Sequence, residues 1–527
     1  MTSPHTSPAL LETIRRAIAC GALETGGALA PHELALAKAA GTARETARAR
    51  AALRARLCDG EDPLGEALAK ARTLDERRRL GAFYTGDAIV TAMLDWAFEN
   101  SPDAVVDAGC GSGRFATAAA MRRRDLALVA IDCDPAATLI ARAALAAAGA
   151  RNARVICGDY LFERLPRYRR TAFVGNPPYV RHHWLTASVK ARAAGLAATI
   201  GARVSGLAGL HALFYLATLA LHGRPGDVGT FVTSAEWLDV GYGQFLRDAF
   251  AGPLGGESLA AFEPSAVPFS DAMTTAAIAT FRIGGAREFV RLARLARATR
   301  AFALDSGRAV YRAELTRAAR WSPLMRESAP VSAGATIGSF FRVSRGQVTG
   351  ANDFFVMARA RAIERGIAAH CVPVVARAKE IFESDGVIRD APQRLVGLEI
   401  ARAADLSRDD ALAAYLRGGE AAGIATGYVA SRRRPWYALV FPRPPIVATY
   451  MARREPRFAA NPDGLGLLNV VHGLYPREAL DAGALLRVVA TLNENAGGYV
   501  GMGRTYHGGL EKFEPREMES LPLELPQ

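Results

Sequence analysis

Cysteine is scarce in this sequence. Its 527 residues hold six, at Cys20, Cys58, Cys110, Cys133, Cys157 and Cys371. None forms a CxxC pair or a Cys/His spacing suited to zinc, so no metal site is expected, and free thiols in a reducing cytoplasm are the reading. Long uncharged runs are scarce as well. One stretch, VSGLAGLHALFYLATLALH at residues 204–222, carries no full charge. Its two histidines, serine, threonine and glycines, and the GRPGD that follows, mark a buried core helix rather than a membrane span. The first residues show no basic-then-apolar signal pattern, and no internal repeat or low-complexity tract is present. These absences exclude a disulfide scaffold and a membrane protein, and they leave a cytoplasmic globular chain.

The length exceeds what one core fills, so two or three domains are expected. Half of the residues are apolar, and Lys plus Arg exceeds Asp plus Glu by 13. A basic balance of this size favours a polyanionic partner, nucleic acid before membrane. Residues 9–80 have apolar positions at helical spacing with arginines between them and no catalytic constellation; they read as a supporting helical cap. Residues 81–285 alternate short apolar runs with helical patterns. The strand candidates are 104–108, 126–131, 153–157, 171–175, 228–233, 259–263 and 276–281. Such alternation predicts a mostly parallel sheet with helices on both faces and ligands at the carboxyl ends of its strands. A basic, irregular stretch from 286 to 330 reads as a linker, partly helical. From 331 to 527 the texture turns to short mixed segments with many turns and arginines.

The strand ends carry the chemistry. In VVDAGCGSGRF (105–115) an apolar strand ends at Asp107 and runs into Gly109, Gly111 and Gly113. Glycines there let a ligand approach the backbone, although the spacing is not GxGxxG. In VAIDCDP (129–135), Asp132 stands 21 residues beyond Gly111. It is placed either to accept hydrogen bonds from a ribose diol or, with Asp134, to cap a helix; following a glycine turn, the ribose role is the better one. In ICGDYLF (156–162), Asp159 is a turn aspartate or an acceptor for the exocyclic amine of an adenine, with Tyr160 beside it. Last comes FVGNPPYVRHH (173–183). Pro177 offers a carbonyl and no N–H, Asn176 offers a side-chain carbonyl, Pro178 stiffens the corner and Tyr179 presents a flat face. Two fixed acceptors suit an –NH2 on a planar ring. Binding both N–H bonds draws the nitrogen towards pyramidal geometry and frees its lone pair to attack an electrophile.

These four strand ends, in this order, resemble class I S-adenosylmethionine-dependent methyltransferases. Asn-Pro-Pro-Tyr narrows the resemblance to enzymes that methylate planar nitrogen. GAFYT (81–85) is similar to the FYTP segment of gamma-class N6-adenine DNA methyltransferases, the TaqI-like and Eco57I-like group of type II restriction-modification systems, with Gly86 in place of the proline. VPFSDAMTTAAIATF (267–281) is similar to that group's late motif. RVSRGQVTGANDFFVM (342–357), RRRPWYAL, YMARREPRFAANPDG and GGLEKFEPREMESLPL resemble its C-terminal target-recognition domain. The N-terminal helices carry none of the likeness, and Ala108 stands where the group has a proline.

The resemblance implies a Rossmann-like, seven-stranded, mostly parallel α/β sheet at 81–285, N-terminal helices before it, and a mixed α+β target-recognition domain at 331–527. It implies S-adenosyl-L-methionine as cofactor. Thr85, Asp107 and Gly109 would line its methionine end, Asp132 its ribose, and Asp159 and Tyr160 its adenine. Asn176 and Pro177 would bind a target N6 amine, and Tyr179 and Phe269 would sandwich the target base. Arg432, Arg433, Arg434, Trp436, Tyr437, Arg453 and Arg454 are candidates for contact with double-stranded DNA. A monomer with a separate cognate restriction endonuclease is the expected arrangement. The rival readings are a release-factor glutamine or RNA methyltransferase, an N4-cytosine DNA methyltransferase, a non-catalytic DNA-binding or specificity protein that kept the fold, and a fused restriction-modification enzyme, for which the N-terminal 80 residues look too short and helical.

Overall fold

A computed structural model describes residues 7–41, 43–44, 46–81, 84–263, 275–285, 287–296, 303–325, 334–404, 409–506 and 510–524. The chain divides into two compact units, 1–329 and 330–527.

The first unit is built on a sheet whose strands are β1 (Ala104–Ala108), β2 (Ala127–Asp132), β3 (Ala153–Cys157), β4 (Thr171–Gly175), β5 (Val228–Ser234), β6 (Gly256–Phe262), β7 (Ala276–Arg282), β8 (Phe289–Leu295) and β9 (Arg308–Tyr311). Their order is β3-β2-β1-β4-β5-β7-β6-β8-β9. β1 to β5 are parallel, and β7 runs antiparallel between β5 and β6. Strands buried on both faces read as near-continuous apolar runs, and β1 (AVVDA), β4 (TAFVG) and β5 (VGTFVTS), apolar but for Asp107 and a few small hydroxyl residues, are buried at every position. The strand order reverses between β1 and β4, where Asp107 stands opposite Val174. That switch point opens a crevice above the strand ends.

Helices cover both faces. On one side α6 (Asp87–Glu99), α7 (Arg114–Arg122) and α8 (Pro135–Ala148) pack against β1 and β2. On the other lie α9 (Ala187–Thr199), α10 (Leu210–Ala217) and α11 (Gln244–Ala251), with the buried Trp237 and Trp321. Within stretch 204–222 the chain is helical from Leu210 to His222 and packs in the core, and among the described residues no helix is long and apolar enough to cross a membrane.

Among the described residues, five helices precede α6: α1 (Pro8–Ala19), α2 (Pro31–Ala40), α3 (Ala47–Cys58), α4 (Pro63–Lys70) and α5 (Leu74–Leu80). α1 and α4 start with a side-chain cap followed by proline, Ser7-Pro8 and Asp62-Pro63. Their apolar faces pack on α8, which is itself bounded by Asp134-Pro135 and a left-handed Gly149. The join is held by a fully buried ion pair. The Arg142 guanidinium donates to both carboxylate oxygens of Glu33, at 2.8 and 3.2 Å, and to the carbonyls of Thr25, Gly27, Ala28 and Val155.

The seven strands anticipated form the core of the sheet, and two more extend it. The stretch read as a linker from 286 to 330 supplies β8 and β9, followed by the α-helix Arg312–Arg317 and a 3-10 turn at Ser322–Met325. In FVRLARL, Val290 and Leu292 are buried while Arg291 and Arg294 point outward. Pairing with the open edge of β6 satisfies backbone groups that would otherwise need water.

The second unit is mixed α+β. One antiparallel sheet orders Phe341–Arg345, Val471–Pro476, Ile446–Thr449 and Phe458–Ala460. A second orders Val356–Ala358, Leu395–Leu398, Cys371–Val375 and Gly466–Leu467, and a third joins Met451–Ala452, Leu510–Lys512 and Arg504–Tyr506. Helices Asp410–Ala421 and Ala482–Glu494 pack on them.

Candidate active site

Above the carboxyl ends of β1, β2 and β4 lies a cavity of about 350 Å³, within the range of small-molecule sites. The strand ends anticipated from sequence converge on it. Gly109, Asp132, Asp159, Tyr160, Thr85 and Asn176 all line it.

The β1 turn forms its floor. Gly109, Gly111 and Gly113 have φ of 72°, 54° and 83°, a conformation that residues with a Cβ rarely adopt. A Cβ on Gly111 would meet no atom within 4 Å, so this backbone is open to the cavity. A Cβ on Gly113 would lie 2.9 Å from that of Ala141, so this glycine instead lets the turn sit against α8.

Asp107 is fully buried beneath the turn. Its Oδ2 accepts the Ala116 N–H at 3.0 Å, while Oδ1 is buried with no hydrogen-bond partner among the described residues. Burial raises its pKa to about 8; the Ala116 N–H opposes the rise and the nearby Asp132 adds to it. Asp132 accepts the Gly111 N–H at 2.9 Å and the Asp134 N–H at 3.0 Å. Removal from water and then Asp134 raise it to about 6. Asp134 is the cap of α8 and pairs with Arg72 of the N-terminal helices. Asp159 is half-buried and accepts the Leu161 N–H at 2.9 Å. Tyr160 is buried, stacked on Phe214 with its hydroxyl bonded to Thr218.

At the end of β4, Gly175 has φ 153°, and a Cβ there would lie 2.5 Å from the Ala108 carbonyl oxygen. Only glycine lets the two strand ends come so close. Asn176 follows, its Nδ2 donating to Thr85 Oγ1 at 3.1 Å. The bond anchors the amide on the cavity wall, and in this orientation the carbonyl oxygen is its accepting end. Thr85, expected at the cofactor's methionine end, lines the cavity and also orients Asn176. Pro178 lines the cavity, whereas the neighbouring Pro177 and Tyr179 do not. Pro177 is buried, and the Tyr179 ring lies 6.1 Å from that of His211. Phe269 falls outside the described residues.

Several lining residues were not anticipated. Asp62, Leu68 and Arg72 come from the N-terminal helices, and Trp184, Leu210 and Phe214 come from the far side. Trp184 is 42% exposed, the most open of these aromatics, with the Arg79 guanidinium 5.9 Å from its ring.

In the second unit the basic candidates separate. Arg432, Arg434, Arg453 and Arg454 are exposed. Arg432 stacks over Tyr428 at 3.9 Å, and Arg454 over Phe382 at 3.7 Å. Arg433 is turned inward, donating to the carbonyls of Val348 and Thr349, and burial lowers its pKa. Trp436 packs with Phe354, Phe355 and Tyr437, and its indole N–H donates to Glu420 at 3.0 Å.

S-adenosyl-L-methionine fits this donor set. The bare Gly111 backbone gives close approach, and Asp132 and Asp159 stand at successive strand ends on the cavity wall, while Asp107, expected at the methionine end, is buried beneath the turn and does not line the cavity. Comparison with known proteins agrees. The C-terminal domain of type II methyltransferase M.Eco57I matches residues 323–527, and the methyltransferase small domain matches residues 86–198. Type II methyltransferase M.XamI from Xanthomonas campestris pv. amaranthicola is 40% identical over 472 residues, 88% of this chain and 86% of that protein. Among solved structures, the type IIL restriction-modification enzyme MmeI, in complex with DNA, superposes with a TM-score of 0.55 at 13% identity, over 85% of this chain and 68% of that one. Fold, strand-end residues and kinship together place the chain in the type II methyltransferase family of restriction-modification systems, Eco57I-like, with S-adenosyl-L-methionine as its cofactor.

Proposed function

We propose that this protein methylates N6 of an adenine extruded from double-stranded DNA, at a specific site, and so protects the DNA of its host from a separate restriction endonuclease. The observation that carries the reading is the Asn176 amide, oriented by Thr85, on the wall of the cavity that Asp132 and Asp159 also line. When bound, S-adenosyl-L-methionine supplies an electrophilic methyl group on a sulfonium, a good leaving group. The chain's own residues prepare the nucleophile. The Asn176 side-chain carbonyl and the Pro177 backbone carbonyl accept the two N–H bonds of the amine, which localises the lone pair on nitrogen. Positioning and oriented dipoles then provide most of the rate enhancement.

A base inside a duplex cannot reach this corner. Extrusion costs roughly a few kcal/mol, and stacking on an aromatic face returns ~1–3 kcal/mol. Tyr179 and Phe269 are the proposed stacking partners. The second unit, with exposed Arg432, Arg434, Arg453 and Arg454, is the proposed target-recognition domain, acting as a monomer. Arg433 and Trp436 support that surface from within. Base-resolved sequencing of DNA from a host expressing this gene tests the reading. N6-methyladenine within one short motif is expected, and N4-methylcytosine there, or no modified base, contradicts it.

A further inference from the structure

The N-terminal helices read from sequence as a passive cap. Yet α4 contributes a wall of the cofactor cavity through Asp62, Gly65, Leu68, Ala69 and Arg72. Asp62 is 3% exposed. Its Oδ1 accepts the Gly65 N–H at 3.0 Å, capping α4, and its Oδ2 accepts the Ser112 hydroxyl at 2.5 Å. Ser112 lies in the glycine turn, between Gly111 and Gly113. Gly65 explains how the carboxylate is seated. A Cβ there would fall 2.1 Å from Asp62 Oδ2, so glycine occupies the first turn of this helix although it is a poor helix former. A second tie lies alongside. Arg114, the residue after the turn, donates to the Gly60 carbonyl at 3.3 Å and to the Tyr84 hydroxyl at 2.6 Å, with its guanidinium 4.4 Å from the Tyr84 ring.

A turn with three left-handed glycines has many alternative conformations, and holding it in the binding geometry before the ligand arrives saves ordering entropy. We infer that Asp62 is a positioning residue for cofactor binding: seated over Gly65, its carboxylate fixes Ser112 and with it the glycine turn. The inference rests on the assignment of S-adenosyl-L-methionine to this cavity and is independent of which substrate is methylated.

Calorimetry of the full-length protein with S-adenosyl-L-homocysteine, without DNA, tests it alongside thermal melting. Ser112→Ala removes the hydroxyl and leaves the α4 cap intact. Gly65→Ala crowds out the carboxylate while improving intrinsic helix propensity. Each should weaken binding about tenfold, the scale of losing a hydrogen bond to a charged group, with melting temperature near wild type. Asp62→Asn keeps a side chain able to bond both partners and should recover most of the affinity that Asp62→Ala loses. Wild-type affinity in both Ser112→Ala and Gly65→Ala overturns the inference. So does an affinity loss that merely tracks falling melting temperature across the variants. A wild-type protein that takes up no S-adenosyl-L-homocysteine removes the cofactor assignment as well.

Discussion

The Asn176 amide works only if its carbonyl oxygen faces the amine, and the bond to Thr85 anchors the side chain. Thr85→Val should therefore lower kcat about tenfold with little change in cofactor KM, because the loss is of orientation rather than of binding. Asn176→Ala should abolish methylation and leave DNA affinity near normal; filter binding and single-turnover assays separate the two effects. Asp107 gives a pH signature. Its folded pKa, about 8, lies above the ordinary carboxylate value. The native state therefore holds this proton more tightly than the unfolded chain does, and folding loses stability as pH rises from about 4 to about 8. Asp107→Asn keeps an acceptor for the Ala116 N–H and escapes that loss. Cofactor-free variant and wild type should melt together near pH 4, and the variant should melt higher above pH 8. In the wild type, a positively charged ligand favours the ionised carboxylate, so affinity for S-adenosyl-L-methionine should rise between pH 6 and 8. Equal melting temperatures at both pH values contradict this account. At this scale much of the site was readable in the sequence. The separation of Gly111 and Asp132 pointed to a ribose-binding role for Asp132, but not to the hydrogen bond that the carboxylate accepts from the Gly111 N–H. Thr85 was read as a cofactor contact alone, because nothing local to GAFYT shows that its hydroxyl reaches Asn176.

Among the elements, the strands buried on both faces were legible because their apolar runs are continuous and end in Asp, Gly or Asn. β8 was not. Its leucines, arginines and single alanine are good helix formers, and what makes it a strand is the free edge of β6, a tertiary circumstance. The part played by α4 was hidden for a similar reason: Asp62-Pro63 announces a helix start but not what the carboxylate touches. The opposite edge of the sheet, β3, is covered by the loop before α2, where the Val155 N–H donates to the Gly26 carbonyl at 2.8 Å. Exposed strand edges invite pairing with other chains, and this loop blocks one. The buried Arg142–Glu33 pair holds the loop and helices in place. Glu33→Ala leaves a buried guanidinium without its counter-charge and should cost ~3–5 kcal/mol, seen in denaturant melts as a large fall in midpoint or an early unfolding step. A midpoint within error of wild type would show that the pair does not secure the N-terminal helices.

For the whole molecule, a net charge of +13 and exposed arginines on the second unit suit a partner dense in phosphate. Displacing counterions from a duplex makes affinity fall with salt, with a log–log slope of about −0.9 per phosphate neutralised. DNA affinity should show a slope of several units, and Arg432→Ala or Arg453→Ala should make it shallower; a flat dependence contradicts the assignment of DNA as partner. The residue type of each strand end was visible as local chemistry. Which arginines face outward was not, since RRR looks alike at Arg432, Arg433 and Arg434 while only the middle one is turned inward. The central claim is transfer of a methyl group to adenine N6 at the Asn176 corner. The direct measurement incubates purified protein with tritiated S-adenosyl-L-methionine and unmethylated duplex DNA, then digests the DNA to nucleosides. Label in N6-methyl-2′-deoxyadenosine, lost in Asn176→Ala, is the expected result; label in a cytosine derivative, in protein alone, or retained by the variant would contradict the account.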